Sequence, residues 1–271
     1  MKTVATSARR RMFLARTAAS LAMVAAGAGY SWSAHADTLQ NVTSSGVLKI
    51  GVFQDYPPFG SVGTDMKPRG FDVDFAEVLG KGLGVKVELI PVTGANRIAY
   101  LTDRKLDMLM SVGQTPAREK ILDFSAAYAP YYIAVYGPPA LAVKDPAGLV
   151  GKRIATAGGT NEDMSLVKVA PPEAVIKRFD DQSGAISAYF AGQVDLISLG
   201  GDVARKLRAP NPKVALDEKF KLMNSPMHMA YNKGETRLKE KLDVIVGQAL
   251  KDGTLNSISL KWLGGPLPGS L

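Results

Sequence analysis

A short β-branched run near the start of the sequence is Val47-Leu48-Lys49-Ile50-Gly51-Val52-Phe53. Gly46 precedes this run and the turn-forming Tyr56-Pro57-Pro58 follows it, so the pattern predicts a buried strand. A helix is predicted next, because apolar residues recur at helical spacing between Asp72, the expected N-cap, and Gly84. Residues 85–89 then alternate between apolar and charged, which predicts a second strand. A strand, a helix and a strand in this order favour a parallel α/β sheet.

This order of elements continues and then starts again. A helix is predicted over 96–102 and a third strand over 107–110. After Pro138-Pro139 the pattern predicts strands over 153–156, 174–179 and 195–198, with helices over 161–169 and 183–191 between them. The repetition indicates a second lobe of the same kind, with Tyr136-Gly137-Pro138-Pro139 as the linker. Two further helices are predicted near the end, and the last one carries Trp262.

The first 36 residues are expected to be a signal peptide and to take no part in the fold. A basic start leads into an apolar run over 18–29, and Ala34-His35-Ala36 has the small-x-small pattern of a cleavage site. We therefore expect cleavage after Ala36 and a periplasmic protein. The stretch Arg10-Arg11-Met12-Phe13-Leu14 resembles a twin-arginine export signal, and the general secretory route also stays open.

Charge and composition exclude several classes of function. The chain has 33 Lys and Arg against 25 Asp and Glu, but five of the basic residues and none of the acids precede Asp37. The remainder has 28 basic and 25 acidic residues, a net charge of +3, which gives no electrostatic footprint for nucleic acid. With no cysteine there is no disulfide, no thiolate catalysis and no lipid-modified cysteine as an anchor. We expect no cofactor, no metal and a monomer.

Residues typical of catalysis are scarce. Beyond position 36 the chain has one histidine, His228, in a predicted strand, where a structural role is favoured over a catalytic triad. Gly158-Gly159-Thr160 lies between a strand and a helix but lacks the Lys-Ser/Thr of a phosphate loop. The N–H groups at that helix start would suit a carboxylate, although the glycines could also serve only as a turn.

A second informative stretch is Thr115-Pro116-Ala117-Arg118-Glu119. Thr115 is expected to cap a helix that has Pro116 at its first position. Arg118 would then lie at the carboxyl end of the 107–110 strand, where open α/β sheets bind ligands, and its planar guanidinium can hold a carboxylate by two hydrogen bonds. Solvation of Arg118, or its pairing with Glu119, is the alternative.

At this point the chain resembles the periplasmic amino-acid-binding proteins of ABC transporters, the family 3 solute-binding proteins. The resemblance extends from about Gly46 to Leu263 and depends on motifs that occur in the family's order. They are Tyr56-Pro57-Pro58-Phe59, Gly70-Phe71-Asp72-Val73-Asp74, Asp107-Met108-Leu109-Met110, Thr115-Pro116-Ala117-Arg118, Asp123-Phe124-Ser125 with Tyr128, and Lys261-Trp262-Leu263. The resemblance implies a two-lobed periplasmic-binding-protein clamp, each lobe a mostly parallel sheet flanked by helices, joined by two hinge strands. Lobe one is expected over 37–137 and 228–271, and lobe two over 138–227.

The resemblance also implies a function. The protein would bind a small-molecule carboxylate, a polar or acidic amino acid, between closing lobes, and would deliver it to a membrane permease of an ABC transporter. Arg118 matches the arginine that holds the ligand's α-carboxylate, and Ser111 and Gly113 match the loop beside it. Tyr56 matches an aromatic residue that covers the ligand.

Lobe two is expected to contribute Gly159, Thr160 and Asn161, the loop that caps the carboxylate. The family's acid for the α-ammonium usually stands five residues after the aspartate that matches Asp195, and here that position is Gly200. Asp202 is the expected substitute. This departure leaves open a carboxylate ligand without an ammonium.

Arg97, in Asn96-Arg97-Ile98, resembles the acidic-amino-acid binders, in which an arginine here meets a second carboxylate of the ligand. With Arg97 and Arg118 at one cavity, we expect a positive excess there and an anionic ligand; a surface position for Arg97 is the alternative. An enzyme similar to the cyclohexadienyl dehydratases also remains possible, with Glu162 as the nearest general acid. A sensory role is a third class of function.

Overall fold

The computed structural model describes residues 37–211 and 213–269, so the predicted signal peptide and its cleavage after Ala36 lie outside the described residues. Two five-stranded sheets form the framework, and a small three-stranded sheet accompanies them. The strands are β1 (Val47–Val52), β2 (Asp55–Tyr56), β3 (Gly60–Val62), β4 (Pro68–Arg69), β5 (Lys86–Pro91), β6 (Met108–Gly113), β7 (Leu122–Ala129), β8 (Tyr132–Gly137), β9 (Arg153–Ala157), β10 (Val175–Phe179), β11 (Leu196–Gly200), β12 (Asp217–Asn224) and β13 (Met227–Asn232). The helices are α1 (Thr38–Ser45), α2 (Phe71–Leu83), α3 (Arg97–Thr102), α4 (Pro116–Glu119), α5 (Asn161–Val169), α6 (Gln182–Phe190), α7 (Gly201–Arg208), α8 (Thr236–Lys251) and α9 (Thr254–Leu263), with a 3-10 turn at Pro146–Leu149.

The first sheet has the strand order β5-β1-β6-β13-β7. Strand β1 pairs in parallel with both β5 and β6, whereas β13 runs antiparallel to β6 and β7. We call this sheet and its flanking helices the first lobe. The strand and helix predicted from residues 47–53 and from the apolar spacing after Asp72 are confirmed.

The second sheet has the equivalent order β10-β9-β11-β8-β12. Strand β9 pairs in parallel with β10 and β11, and β8 is antiparallel to β11 and β12. We call this sheet and its flanking helices the second lobe. Strand β8 belongs to it, so the chain leaves the first sheet after Ala129, ahead of the linker expected at Tyr136. It returns between Asn224 and Met227. The exact lobe boundaries, 137/138 and 227/228, stay a prediction.

The prediction that Asp72 caps helix α2 is wrong. The helix begins at Phe71 and its N-cap is Gly70, which has φ 144°. A Cβ at Gly70 would also overlap the carbonyl of Phe59, so only glycine fits. Asp72 therefore lies inside the first turn, where its side chain is buried and faces β6.

Helix α5 has the predicted bounds, and Thr160 is its N-cap. The Thr160 hydroxyl accepts the N–H of Asp163 at 3.3 Å and donates to the carbonyl of Ala157 at 2.7 Å. Both bonds fix the turn between β9 and α5, which directs the start of the helix towards the carboxyl ends of the first sheet's strands. Thr115 caps α4 in the same way, with its hydroxyl 3.3 Å from the N–H of Arg118.

Candidate functional site

A cavity lies where the carboxyl ends of the parallel strands of both sheets meet, and about 430 Å³ of unfilled space, open solvent included, lies within its walls. Side chains and backbone from both lobes line it. The first lobe and the segments that lead to and from it contribute Phe53, Asp55, Tyr56, Thr93, Gly94, Arg97, Ser111, Gly113, Tyr131, Ser225 and Met227. The second lobe contributes Ala157, Thr160, Asn161, Glu162, Asp181 and Gln182.

Arg97, the first residue of α3, lines this cavity and is only 2% exposed. Its Nη1 donates to the carbonyl of Ser111 at 2.9 Å, and its guanidinium lies over the Phe53 ring, 4.9 Å from the ring centroid. Its Nε has no hydrogen-bond partner among the described residues, and no carboxylate of those residues forms an ion pair with it. Burial lowers the pKa of Arg97, and the nearby charge of Glu162 opposes that change. The alternative of a surface position for Arg97 is excluded.

Ser111 holds Arg97 in place and has an unusual backbone itself. Its φ is 52°, in the left-handed region that a serine rarely adopts. Its N–H donates to the hydroxyl of Tyr128 at 2.8 Å, and its own hydroxyl donates to the carboxylate of Asp72 at 2.6 Å. Tyr128 also donates to Asp72 at 2.7 Å. Burial raises the pKa of Asp72 to about 7, although both hydrogen bonds favour the ionised form.

Arg118 is buried beside the cavity, but its side chain spans the two lobes and does not line the cavity. Its Nη1 donates to the carbonyl of Gly113 at 2.9 Å and to the side-chain oxygen of Asn161, and its Nη2 donates to the carbonyl of Gly159 at 3.1 Å. Burial, with the like charge of Arg97, lowers the pKa of Arg118 to about 9. A role in holding the ligand's α-carboxylate stays a prediction for Arg118.

Glycines allow the two lobes to approach closely at this point. A Cβ on Gly94 would overlap the carbonyl of Gly158 and would lie 2.6 Å from the Thr160 methyl. A Cβ on Gly113 would overlap the side-chain amide of Asn161, whose nitrogen donates to Ser225 at 2.9 Å. The glycine turn before α5 thus has a packing role beyond that of a simple turn.

Glu162, in the first turn of α5, is the buried acid of the cavity. Tyr131, from the segment that joins the lobes, donates to its Oε1 at 2.6 Å, and Tyr56 donates to the same oxygen. The two phenol oxygens also contact each other. Burial, together with the charge of Glu162, raises the pKa of both tyrosines. Tyr56 lies at the cavity as expected, whereas neither Tyr131 nor Glu162 was among the expected binding residues.

Asp202 does not line the cavity, and its carboxylate forms an ion pair with Arg205 on the same helix. Burial raises the pKa of Asp202, and Arg205 opposes that effect. Gly200 precedes this helix, and a Cβ there would overlap the hydroxyl of Tyr131. The expected substitution of Asp202 for an acid at position 200 therefore has no support in the geometry.

The expected positive excess in the cavity is also wrong. Its acidic lining residues are Asp55, Glu162 and Asp181, against Arg97 alone among its basic ones. Asp55 accepts the N–H of Gln182 at 2.7 Å, a contact between the lobes, and Gln182 is buried with no partner for either side-chain amide atom among the described residues. Sequence reasoning missed these residues because they follow short strands and have no motif of their own.

Within the described ranges, no cluster of three or more acidic or histidine side chains could hold a metal ion. The helices described there are too short or too polar to cross a membrane. His228 is in β13, and its Nδ1 lies 2.9 Å from the carbonyl of Ser125, in keeping with a structural role.

Comparison with known proteins agrees with this architecture. The model of the bacterial extracellular solute-binding proteins, family 3, matches residues 48–265. The chain belongs to this family. Its two similar sheets, joined by a pair of crossing segments, are the two-lobed fold of the family's solved members.

Several family 3 solute-binding proteins resemble the chain over most of its length. The L-cystine-binding protein TcyJ of Escherichia coli is 30% identical over 253 residues, which cover 89% of this chain and 92% of TcyJ. A mutant of ArgBP from T. maritima superposes with a TM-score of 0.79 at 27% identity, covering 84% of this chain and 99% of that one. An enzyme is also similar: cyclohexadienyl dehydratase of Pseudomonas aeruginosa is 32% identical over 110 residues, 40% of this chain and 41% of the enzyme.

Proposed function

We propose that this protein is the periplasmic solute-binding component of an ABC uptake transporter and that it captures a polar α-amino acid between its lobes. The observation that carries the proposal is Arg97, a buried guanidinium that lines the cavity without an acidic partner among the described residues. A buried charge without a partner is costly, so a site of this kind favours a ligand that supplies the opposite charge. The carboxylate of an amino acid does so, and its two oxygens suit the planar guanidinium.

Contacts between the lobes support binding by closure. Arg118 reaches the carbonyl of Gly159, and Asp55 accepts N–H groups of Gln182 and Ser183 at the start of α6, at 2.7 and 3.0 Å. These bonds exist only when the lobes are together, so they would stabilise the closed form around a ligand. Arg118 would then stabilise closure and Arg97 would bind the carboxylate, whereas the sequence predicted that Arg118 binds the α-carboxylate and Arg97 a second one.

Gln182 supports a polar rather than an apolar ligand. Its side-chain amide lines the cavity and is buried, and both of its polar atoms lack protein partners within the described part of the chain. An apolar ligand would leave this amide desolvated and unsatisfied, whereas a polar side chain can hydrogen-bond to it. The names of the relatives fit this reading, since cystine and arginine both have polar side chains.

Export and delivery complete the proposed role. The mature protein would begin at Asp37 and would pass its amino acid, as a monomer, to a membrane permease. N-terminal sequencing of the periplasmic protein tests the first point. A start at another residue would move the boundary, and recovery in the membrane fraction would contradict a free periplasmic protein.

A dehydratase is the second candidate function, because Glu162 is a buried acid in the cavity and the chain resembles cyclohexadienyl dehydratase over part of its length. We propose that the protein is a binding protein and not an enzyme. Incubation of the purified protein with prephenate tests this directly. No release of carbon dioxide and water is expected, whereas turnover would favour the enzyme.

A thermal-shift screen tests the proposed function. At 100 times its dissociation constant, a ligand adds about 2.7 kcal/mol of stability, which raises the Tm of a protein of this size by about 5 to 10 °C. Shifts of this size are expected with L-cystine, L-glutamine or L-arginine, and little shift with succinate or with L-leucine. A larger shift with succinate would favour a carboxylate ligand without an ammonium.

A further inference from the structure

We infer that Glu162, with the hydroxyls of Tyr131 and Tyr56 on its carboxylate, binds the α-ammonium of the ligand, in place of an acid at position 200. The inference rests on the proposed function and deepens it, because it assigns the second charged group of the amino acid. It also assigns the recognition of that group to a different element. The acid lies on α5, after β9, and not on α7, after β11.

Close packing leaves no room for an acid at position 200. Gly200 ends β11, and any Cβ there would overlap the ring and the hydroxyl of Tyr131. Tyr131 is 6% exposed and packs edge-on against Phe59, with 5.6 Å between the ring centroids, so it cannot easily move away. An aspartate at position 200 and a tyrosine at position 131 are therefore incompatible in this packing. The phenol occupies the space into which such an aspartate would extend.

The charge of Glu162 also favours a cationic partner. Glu162 is 3% exposed and lines the cavity, yet it has no ion-pair partner among the described residues. The nearest opposite charges are those of Arg97 and Arg118, and neither guanidinium lies within ion-pair distance of the Glu162 carboxylate. A buried carboxylate whose hydrogen-bond donors are phenols has no cation in direct contact, and an ammonium with three N–H donors would supply one.

The other acids near the cavity already have partners. Asp55 accepts two backbone N–H groups at the start of α6, and Asp181 caps the same helix by accepting the N–H of Gly184 at 2.8 Å. Asp202 is paired with Arg205 and does not line the cavity. Glu162 is therefore the acid best placed for an ammonium. Its position opposite Arg97 would orient an amino acid with its carboxylate towards the first lobe.

Glu162→Gln tests the inference because it removes the charge and keeps the shape. The probes are two pairs of compounds that differ only by the α-ammonium: L-glutamine with glutaramate, and L-arginine with 5-guanidinopentanoate. Calorimetry should show that Glu162→Gln weakens binding of the amino acids by about 30-fold or more and changes binding of the deamino compounds by less than about threefold. Retained binding of the deamino compounds also shows that the variant folds.

Asp202→Asn is the matched control, since it removes the buried acid of the second lobe that was expected from the sequence to meet the ammonium. It should leave all four affinities within about twofold of the parent protein. If Glu162→Gln binds nothing, Tyr131→Phe decides: a selective loss for the amino acids of about three- to tenfold supports the inference, and an equal loss for both classes overturns it.

Two results separate failure of the inference from failure of the proposed function. Unchanged affinity of Glu162→Gln for the amino acids, or a selective loss in Asp202→Asn, would overturn the inference and leave an amino-acid-binding protein. Absence of binding of both L-glutamine and L-arginine, and of every other amino acid in the thermal-shift screen, to the parent protein would overturn the proposed function, and the inference with it.

Discussion

The two lobes are built alike but carry opposite chemistry. In each sheet four of the five strands run in the same direction, and the fifth, β13 in one sheet and β8 in the other, is inserted among them in the antiparallel direction. The three strands that pair in parallel have their carboxyl ends at the cavity. The first lobe places the guanidinium of Arg97 at the cavity, with Arg118 buried beside it, whereas the second places the carboxylate of Glu162 there. The same topology, used twice, thus presents a cation from one side of the cavity and an anion from the other. A zwitterion would then be held only where both lobes meet.

Replacing the cation of the first lobe should have the largest effect. Arg97→Ala removes the buried group that we expect to hold the ligand's carboxylate, and loss of such a contact costs about 2 to 5 kcal/mol, or roughly 30-fold to several thousand-fold in affinity. Titration calorimetry with the amino acid that gives the largest thermal shift measures this. Arg104→Ala is the control, because Arg104 pairs with Glu235 and does not line the cavity. Affinities equal to the parent's in Arg97→Ala would contradict the assignment of the cation.

Preventing the close approach of the lobes should have an intermediate effect. In Gly94→Ala, the new methyl would overlap the backbone carbonyl of Gly158, which cannot turn aside as a side chain would. Overpacking of this kind costs about 1 to 3 kcal/mol, so affinity should fall by roughly 5- to 150-fold while the fold is kept. Small-angle scattering should show a protein that stays extended when the amino acid is added.

Gly247→Ala is the matched control for that variant, because nothing lies within 4 Å of a Cβ added to this glycine in α8. It should leave affinity unchanged and raise stability by up to about 1 kcal/mol, since alanine is the better helix former. Equal behaviour of the two alanine variants in scattering and calorimetry would count against closure at Gly94.

The smallest effect on binding is expected from Asp72, a buried acid of the first lobe, whose replacement should mainly change the pH dependence of stability. The carboxyl of Asp72 has a pKa raised to about 7 by burial, above its ordinary value of 3.8. The folded protein therefore keeps a proton that the unfolded chain releases, and the free energy of unfolding should decrease as the pH rises from about 4 to about 7. Asp72→Asn should remove about 2 kcal/mol of that decrease between pH 5 and pH 7, as measured by urea denaturation.

The protonation state of Asp72 changes the net charge of the first lobe. A protonated Asp72 is neutral, so it does not offset the positive charge of Arg97, to which it is linked by hydrogen bonds of Ser111. If Asp72→Asn and the parent protein lose stability in parallel over that pH range, the carboxyl is ionised in the folded protein. The first lobe would then be less positive than we describe.

Sequence reasoning succeeded for features that depend on a single helix or strand. The spacing of apolar residues predicted α2, the pattern after the Gly-Gly-Thr turn predicted the bounds of α5, and Thr115 predicted the start of α4. It failed at Asp72, because a residue type that often caps helices was preferred over Gly70, whose backbone conformation does not show in the sequence. A buried hydrogen-bond network with Ser111 and Tyr128 then determined the role of Asp72.

The site was harder to predict because its contacts join residues far apart in the chain. Glu162 and Tyr131 meet only when the chain has crossed between the lobes, and neither belongs to a motif that marks an ammonium site. Gly200 was the one available signal: a missing acid at a position where an acid was expected. Sequence spacing suggested the nearest acid along the chain, Asp202, whereas packing of Tyr131 against Gly200 selects an acid from another helix.

A crystal structure of the protein with a bound amino acid, chosen as the compound with the largest thermal shift, tests the opposed chemistry of the two lobes most directly. We predict that the ligand's carboxylate lies within hydrogen-bond distance, about 3 Å, of the Arg97 guanidinium. The ammonium should lie at the same distance from Glu162. A carboxylate held away from Arg97, or an ammonium held by Asp202 or Asp55 with Glu162 remote from it, would contradict the account.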